Sequence, residues 1–390
     1  MSKPFDVIVY GASGFTGRLV AEYLSQQYGL GGDIRWAMAG RSLNKLASVR
    51  SEIGASEDTP LVQADASDPA SLAAMVTQTH CVLTTVGPYQ LYGSDLVAAC
   101  AKAGTDYVDL CGEPAWMHQM ISAHEETAKA SGARIVFSCG FDSIPFDLGV
   151  FYLQQQAQAH VGKTLPKVRG RVKAMKGGFS GGTAASLKAT LAAAADDPNV
   201  LQVLRNPFAL AGGFEGPKQP SGNKPLFEED LGSWSAPFIM AAINTRNIHR
   251  SNALMDHHYG ADFTYDEMML TGPGDSGEEM ANVLATTKQI GTDNDPKPGE
   301  GPSKEEREQG LYEVLFIGED DGGARLTARV TGDKDPGYGS TSKMIAESAI
   351  CLVKDCAGLE GGIYTPAPAM GDALIKRLEA NAGLTFSLLP

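Results

Sequence analysis

Short apolar runs recur through the first third of the chain, each followed within two residues by glycine or aspartate. Phe5-Asp6-Val7-Ile8-Val9-Tyr10 is rich in β-branched residues and reads as a buried strand. Residues 34–39, 61–64, 81–86, 106–110 and 134–138 repeat that signature. Helix-like stretches separate them, opening at Arg18 and running over 43–53, 70–76, 93–103 and 115–131. The alternation predicts an α/β fold with a Rossmann-type, doubly wound parallel sheet. A further helix is expected to about Gln156.

Beyond it the period changes. Residues 167–175 alternate basic and apolar, as a half-exposed strand does. An Ala-rich helix over 184–195, a strand over 262–270, a helix over 277–290 and a hairpin of 311–317 with 324–331 complete a mixed sheet with two helices. Residues 212–233 read as an exposed excursion, as do 292–310, with Asp293, Asp295, Pro296, Pro298, Pro302 and a charged run over 304–308. Amphipathic helices are expected over 343–357 and 372–380. The expected division is a cofactor domain over 1–150, an inserted α+β domain for substrate and dimerisation over 151–335, and C-terminal helices over 336–390 returning to the first domain.

The composition of the 390 residues, 43% hydrophobic and 20% charged, is that of a folded protein, and a net charge of −14 argues against general nucleic-acid binding. No apolar run reaches the ~18 residues of a membrane span. The start goes directly into a strand, so no signal peptide is expected and a cytoplasmic protein is. Six cysteines form no CxxC pair, and Cys351 and Cys356, five apart on an expected helix, are expected on different faces. His257 and His258 are adjacent and so poorly placed to share a metal, and His249 is expected to be structural; no metal site is expected.

The chemistry concentrates at strand ends. Gly11, Gly14 and Gly17 follow the first strand and lead into a helix, the arrangement that brings backbone N–H groups to a pyrophosphate. Gly11, Ser13, Gly14, Phe15, Thr16 and Gly17 are therefore candidate cofactor residues. At the end of the second strand an acid would favour NAD. Arg41 stands there instead, with Ser42 and Lys45, and favours NADP(H) through charge-assisted bonds to a 2′-phosphate. Asp65 ends the third strand, where it meets the adenine or caps the next turn. Val86, Gly87 and Pro88 open the crevice at the fourth strand, with Tyr89 and Tyr92 toward the nicotinamide half. In 139–149, Asp142 and Ser143 cap a helix or line the crevice. Lys176-Gly177-Gly178 opens a helix and is a candidate substrate contact. Tyr89, Asp142 and Lys176 are the candidate proton donors. No YxxxK pair of a short-chain dehydrogenase occurs, since Tyr338 and Lys343 are one residue too far apart.

Gly11–Gly17, Gly40-Arg41-Ser42, Thr85–Tyr89, Cys139–Pro145, Asp335-Pro336-Gly337-Tyr338 and Thr365-Pro366-Ala367 resemble the motifs of saccharopine dehydrogenase-like oxidoreductases. The most similar branch contains the mycobacterial trans-acting enoyl reductases and the animal lipid-droplet-associated saccharopine dehydrogenase-like proteins. The resemblance implies an NADP(H)-dependent hydride transfer to an enoyl or other lipid-like, acyl substrate. A homodimer and peripheral membrane or lipid association are also expected. Two rivals remain: an amino-acid-type dehydrogenase of a saccharopine-like adduct, for which no basic cluster is evident, and a non-catalytic NADP(H)-binding scaffold.

Overall fold

A computed structural model describes the chain except residues 1, 2, 288, 289, 291, 293, 294 and 298, so Asp293, Pro298 and part of the helix expected over 277–290 lie outside the described residues. The first elements are β1 (Phe5–Tyr10), α1 (Phe15–Gln27), β2 (Trp36–Gly40), α2 (Leu43–Glu52), β3 (Leu61–Gln63), α3 (Pro69–Val76), β4 (Thr79–Thr84), α4 (Tyr89–Tyr92), α5 (Ser94–Ala103), β5 (Asp106–Val108), α6 (Pro114–Ser131), β6 (Arg134–Val136) and α7 (Ile144–Val161). The next are β7 (Lys167–Lys176), α8 (Gly181–Asp196), α9 (Pro198–Arg205), β8 (Leu226–Glu228), β9 (Ser233–Pro237), α10 (Ala241–Leu254), β10 (Thr264–Gly272), α11 (Gly274–Thr286) and α12 (Lys304–Glu308). The chain ends with β11 (Leu311–Glu319), β12 (Arg325–Gly332), a π-turn (Pro336–Ser340), α13 (Thr341–Asp355), β13 (Gly362–Tyr364), α14 (Pro366–Arg377), a second π-turn (Leu378–Ala382) and β14 (Leu384–Leu388).

The first sheet runs β13-β6-β5-β4-β1-β2-β3. Every pairing in it is parallel. Val7, Ile8 and Val9 have no exposed surface, as expected of a central strand covered on both faces. Each such side chain contributes about 1.5–3 kcal/mol of burial. Strand order reverses between β1 and β4, which opens a crevice at their carboxyl ends. The sheet gains a seventh strand from the C-terminal region, since β13 pairs with β6.

The second sheet, β14-β12-β11-β7-β10-β9-β8, is mixed. β7 and β10 are parallel, and the other pairs are antiparallel. α7 crosses from one sheet to the other: a Cβ on Gly149 would lie 2.2 Å from the Phe316 ring of β11, so only glycine permits this approach. Helix content here exceeds the expected two, since α9, α10 and α12 join α8 and α11. The excursion expected over 212–233 includes β8 and the start of β9. The final strand, β14, extends the second sheet.

Two smaller expectations change. Cys351 and Cys356 do not face apart: α13 ends at Asp355, the chain turns at Cys356, and the thiols lie 3.8 Å from each other. Tyr92 does not face the crevice but is 48% exposed. His249 is a core residue against Phe208 and Phe263, with burial lowering its pKa to about 3. Among the described residues no group of three metal-ligating side chains assembles, and no helix is long and apolar enough to cross a membrane.

Candidate functional site

The glycine turn sits at the reversal of strand order. Gly11 has φ +91°, and a Cβ there would meet Val86 and Thr85 at 2.8 and 2.9 Å. The turn is fixed by Gly11 and Ala12 N–H donating to the Ala39 carbonyl and Gly14 N–H donating to the Gly11 carbonyl. No side chain caps α1, so the N–H groups of its first turn, at Phe15 and Thr16, remain for a ligand. Ser13 and Gly14 are exposed beside them. A cradle of bare backbone at an uncapped helix start suits a pyrophosphate.

Arg41 and Lys45 are exposed at the end of β2, and neither side chain makes a hydrogen bond or ion pair among the described residues. Ser42 caps α2, its Oγ accepting from Lys45 N–H at 3.3 Å. Asp65 turns inward on its own loop: its carboxylate accepts from the Ser67 N–H and hydroxyl at 3.0 and 2.9 Å, which lowers its pKa. Arg41 is thus an exposed cation at the end of β2 that makes no ion pair among the described residues, although its charge also helps to lower Asp65. Arg41→Ala is expected to weaken NADPH about 10–100-fold, the loss of a charge-assisted contact. NADH should change less than about twofold, as isothermal titration of both would show. Equal loss for both cofactors would reject the assignment.

A cavity of about 470 Å³ opens beyond the turn, walled by Thr16, Thr85 and Gly87 on one side and by Met175, Ser180, Thr183, Leu187, Ile239 and Tyr338 on the other. Val86 and Pro88 flank Gly87 at its edge, half-buried. Its floor is Gly140, Phe141 and Asp142. Among the described residues lining it, Asp142 has the only charged side chain. Among the described residues its carboxyl has no hydrogen-bond or cationic partner, and burial pushes its pKa up to about 7. Asp142 does not cap α7, nor does Ser143, whose Oγ accepts from Asn247 Nδ2 at 2.8 Å.

The other two donor candidates fare differently. Tyr89 reaches the cavity wall, but its hydroxyl donates to the Thr84 carbonyl at 3.3 Å and accepts from Leu110 N–H at 3.0 Å, so its proton is committed to the backbone. Lys176 is exposed, reaches toward Gln309 and does not line the cavity. The β7–β11 register shifts between Glu313 and Val314, where β7 carries an extra residue. One inserted residue reverses which side chains face inward, and Met175 faces the cavity instead.

Several residues at the site carry no sequence signal that places them there. Tyr338 is buried at the cavity wall, and its hydroxyl accepts from Ser180 N–H and lies 2.9 Å from Thr183 Oγ1. Beneath the floor, α10 presents a buried polar edge. Asn244 donates to Glu267 at 2.9 Å, Asn247 to Ser143, and the Ser251 hydroxyl to Asp147 at 2.6 Å. Burial raises Asp147 to about 7 and Glu267 to about 8. The spacing 244, 247, 251 is that of one helix face, and it fixes the loop that carries Asp142.

Residues 7–136 match the family model of the saccharopine dehydrogenase NADP binding domain. The chain is 42% identical over 415 aligned residues to a Mycobacterium tuberculosis protein provisionally named a trans-acting enoyl reductase, covering 98% of this chain and 97% of that one. It is 38% identical to the trans-acting enoyl reductase of Mycobacterium ulcerans, with 96% of each chain covered. Among solved structures, the apo saccharopine dehydrogenase (L-Glu forming) of Saccharomyces cerevisiae is similar in fold, with TM-score 0.55, 12% identity and coverage of 99% of this chain and 100% of that one.

Proposed function

We propose, from the premise that the chain belongs to the trans-acting enoyl reductase branch of the saccharopine dehydrogenase-like oxidoreductases, that its cavity takes an acyl substrate with a C=C bond conjugated to a carbonyl. It is an NADPH-dependent oxidoreductase. The observation that carries the substrate reading is the cavity lining: mostly apolar side chains and glycines with nine hydroxyl-bearing residues and one carboxyl, and no Lys or Arg among the described residues to pair with a dicarboxylate amino acid. That lining also disfavours the saccharopine-like adduct as substrate.

NADPH, when bound, would supply the hydride that such a reduction needs. The glycine turn and Arg41 hold the cofactor. Asp142, protonated near neutral pH, gives the proton that the α-carbon requires, and its conjugate base recovers one from solvent. The cavity walls exclude water from the reacting carbons. Residues 1–150 act as the cofactor domain and 151–335 as the substrate and dimerisation domain; of the part expected to return whole to the first domain, 336–390, β13 joins the first sheet but β14 joins the second. Leu91 and Leu191, 62% and 58% exposed on helices joined by the Gln90–Thr190 hydrogen bond, support an apolar mouth suited to a lipid-like chain or a lipid surface.

The test is NADPH oxidation with a panel of 2-enoyl thioesters and of imines formed from lysine and 2-oxoglutarate. Saturated acyl product is expected from the first set only. Stoichiometric NADPH binding without oxidation of any substrate would favour the scaffold, and turnover with the imines would favour the amino-acid enzyme.

A further inference from the structure

The segment just before β11 lies against the start of α1. Two guanidinium groups lie over the Phe15 ring, at the first helical position after Gly14: Arg18 at 6.0 Å and Arg307 of α12 at 5.7 Å from the ring centroid. Tyr338 meets the ring edge-on at 5.2 Å. Gly301 comes so close that a Cβ would lie 2.6 Å from the ring. The segment is tied at both ends, since Gly181 N–H donates to the Glu300 carbonyl at 3.2 Å and Asp335 N–H to the Arg307 carbonyl at 3.0 Å. It therefore joins the start of α8, the Tyr338 turn and the phosphate turn.

The two arginines are not equivalent. Arg18 is ion-paired with Glu52 at 2.7 Å. Arg307 makes no ion pair among the described residues, and the one hydrogen bond found for its guanidinium is to the Pro302 carbonyl. The acid near it, Asp335, already accepts the N–H groups of Tyr338 and Gly339, at 3.0 and 2.6 Å. A half-buried guanidinium with unused donors thus stands over the residue that opens the uncapped start of α1.

We propose that Arg307 is a cofactor-binding residue, supplied from outside the glycine-turn sheet, that recognises the pyrophosphate of NADP(H) and so brings the second sheet's side of the crevice to the cofactor. The proposal rests on the NADP(H) assignment but not on the substrate. A guanidinium matches phosphate oxygens with two parallel donors, and stacking on an aromatic ring holds it in plane. The pyrophosphate is common to NADPH and NADH, so this contact differs from that of Arg41.

Titration calorimetry of full-length Arg307→Gln is expected to show Kd for NADPH and NADH each raised about tenfold with their ratio unchanged. Arg307→Lys, which keeps the charge but not the fork, should fall between parent and Gln. Cofactor affinities within twofold of the parent, with melting temperature lowered, would reduce Arg307 to a structural residue and overturn the proposal. Loss confined to NADPH would overturn it too, by moving the contact to the 2′-phosphate. Should the Gln variant fail to fold, the Lys variant decides by the same two affinities. A parent chain that bound neither cofactor would overturn both this proposal and the NADP(H) assignment, whereas failure of the enoyl panel alone would leave this one standing.

Discussion

Asp142→Asn is expected to lower kcat for enoyl reduction about 10²–10⁴-fold, the range for removing a positioned general acid, while Kd for NADPH stays within about twofold. The amide keeps the shape of the carboxyl and loses its proton. The pH profile makes the test sharper. With a pKa raised to about 7 by burial, Asp142 holds its proton below neutrality, so the parent's kcat should be level there and fall about tenfold per unit above it. The residual rate of the variant should lack that break. Stability falls in the same direction, over a wider range. A carboxyl whose folded pKa lies above its unfolded value of 3.8 contributes stability fully below that value, and the contribution is lost as pH rises through about 7. The Asn variant should therefore gain on the parent in melting temperature between about pH 4 and 8. Asp109, Asp147 and Glu267 are raised in the same direction by burial, so the parent alone cannot isolate Asp142, but the difference between parent and variant does. An unchanged kcat, or a pH break retained in the variant, would assign the proton to another group, and Tyr338 is then next to be changed.

What the sequence made legible here follows from the range of the forces involved. The glycine turn, the Arg41 position and the crossover at 139–149 are local: strand, turn and helix follow each other within a few residues, and their spacing determines their geometry. The seven-strand first sheet was readable up to β6, because each strand there is an apolar run bounded by turn residues. β13 was not, since Gly362-Ile363-Tyr364 is three residues long and is a strand because β6 lies beside it. α10 was missed for a different reason. Its buried set includes Asn244, Arg246, Asn247, Arg250, Ser251 and Asn252, so no apolar stripe marks its inner face. Those side chains are buried because partners wait for them elsewhere: Arg250 on the Leu210 carbonyl at 2.8 Å, Asn244 on Glu267, Asn247 on Ser143. Lys176, expected at a glycine-rich helix start, is instead the last residue of β7, where one extra residue in the strand turns Met175 to the cavity. Tyr338 reaches the cavity because its turn is held by Asp335, a contact local in sequence but placed by the second sheet.

Gly14→Val and Gly17→Val should separate two losses that the glycine motif alone runs together. At Gly14 the backbone is ordinary, with φ −83° and ψ 173°, and a Cβ would meet only the Gly11 carbonyl at 3.2 Å. The fold can give by a few tenths of an ångström there, so melting temperature should shift by no more than about 2–4 °C. The branched side chain instead occupies the approach to the first-turn N–H groups. Losing two such charge-assisted bonds, each about 1.5–3 kcal/mol, lowers affinity for NADPH and NADH alike by at least about 100-fold. At Gly17 a Cβ would lie 2.1 Å from the Gly11 carbonyl oxygen and 2.8 Å from Thr85 Oγ1, both held in place by β1 and β4. Neither can retreat, so α1 must leave the sheet. Overpacking of that kind costs about 1–3 kcal/mol or more, and both stability and binding should fall. Thermal melts with cofactor titration of the two variants read this directly. Normal NADPH binding by Gly14→Val would remove the turn as the phosphate site, and an undisturbed melting temperature in Gly17→Val would deny the close helix-to-strand contact on which the turn depends.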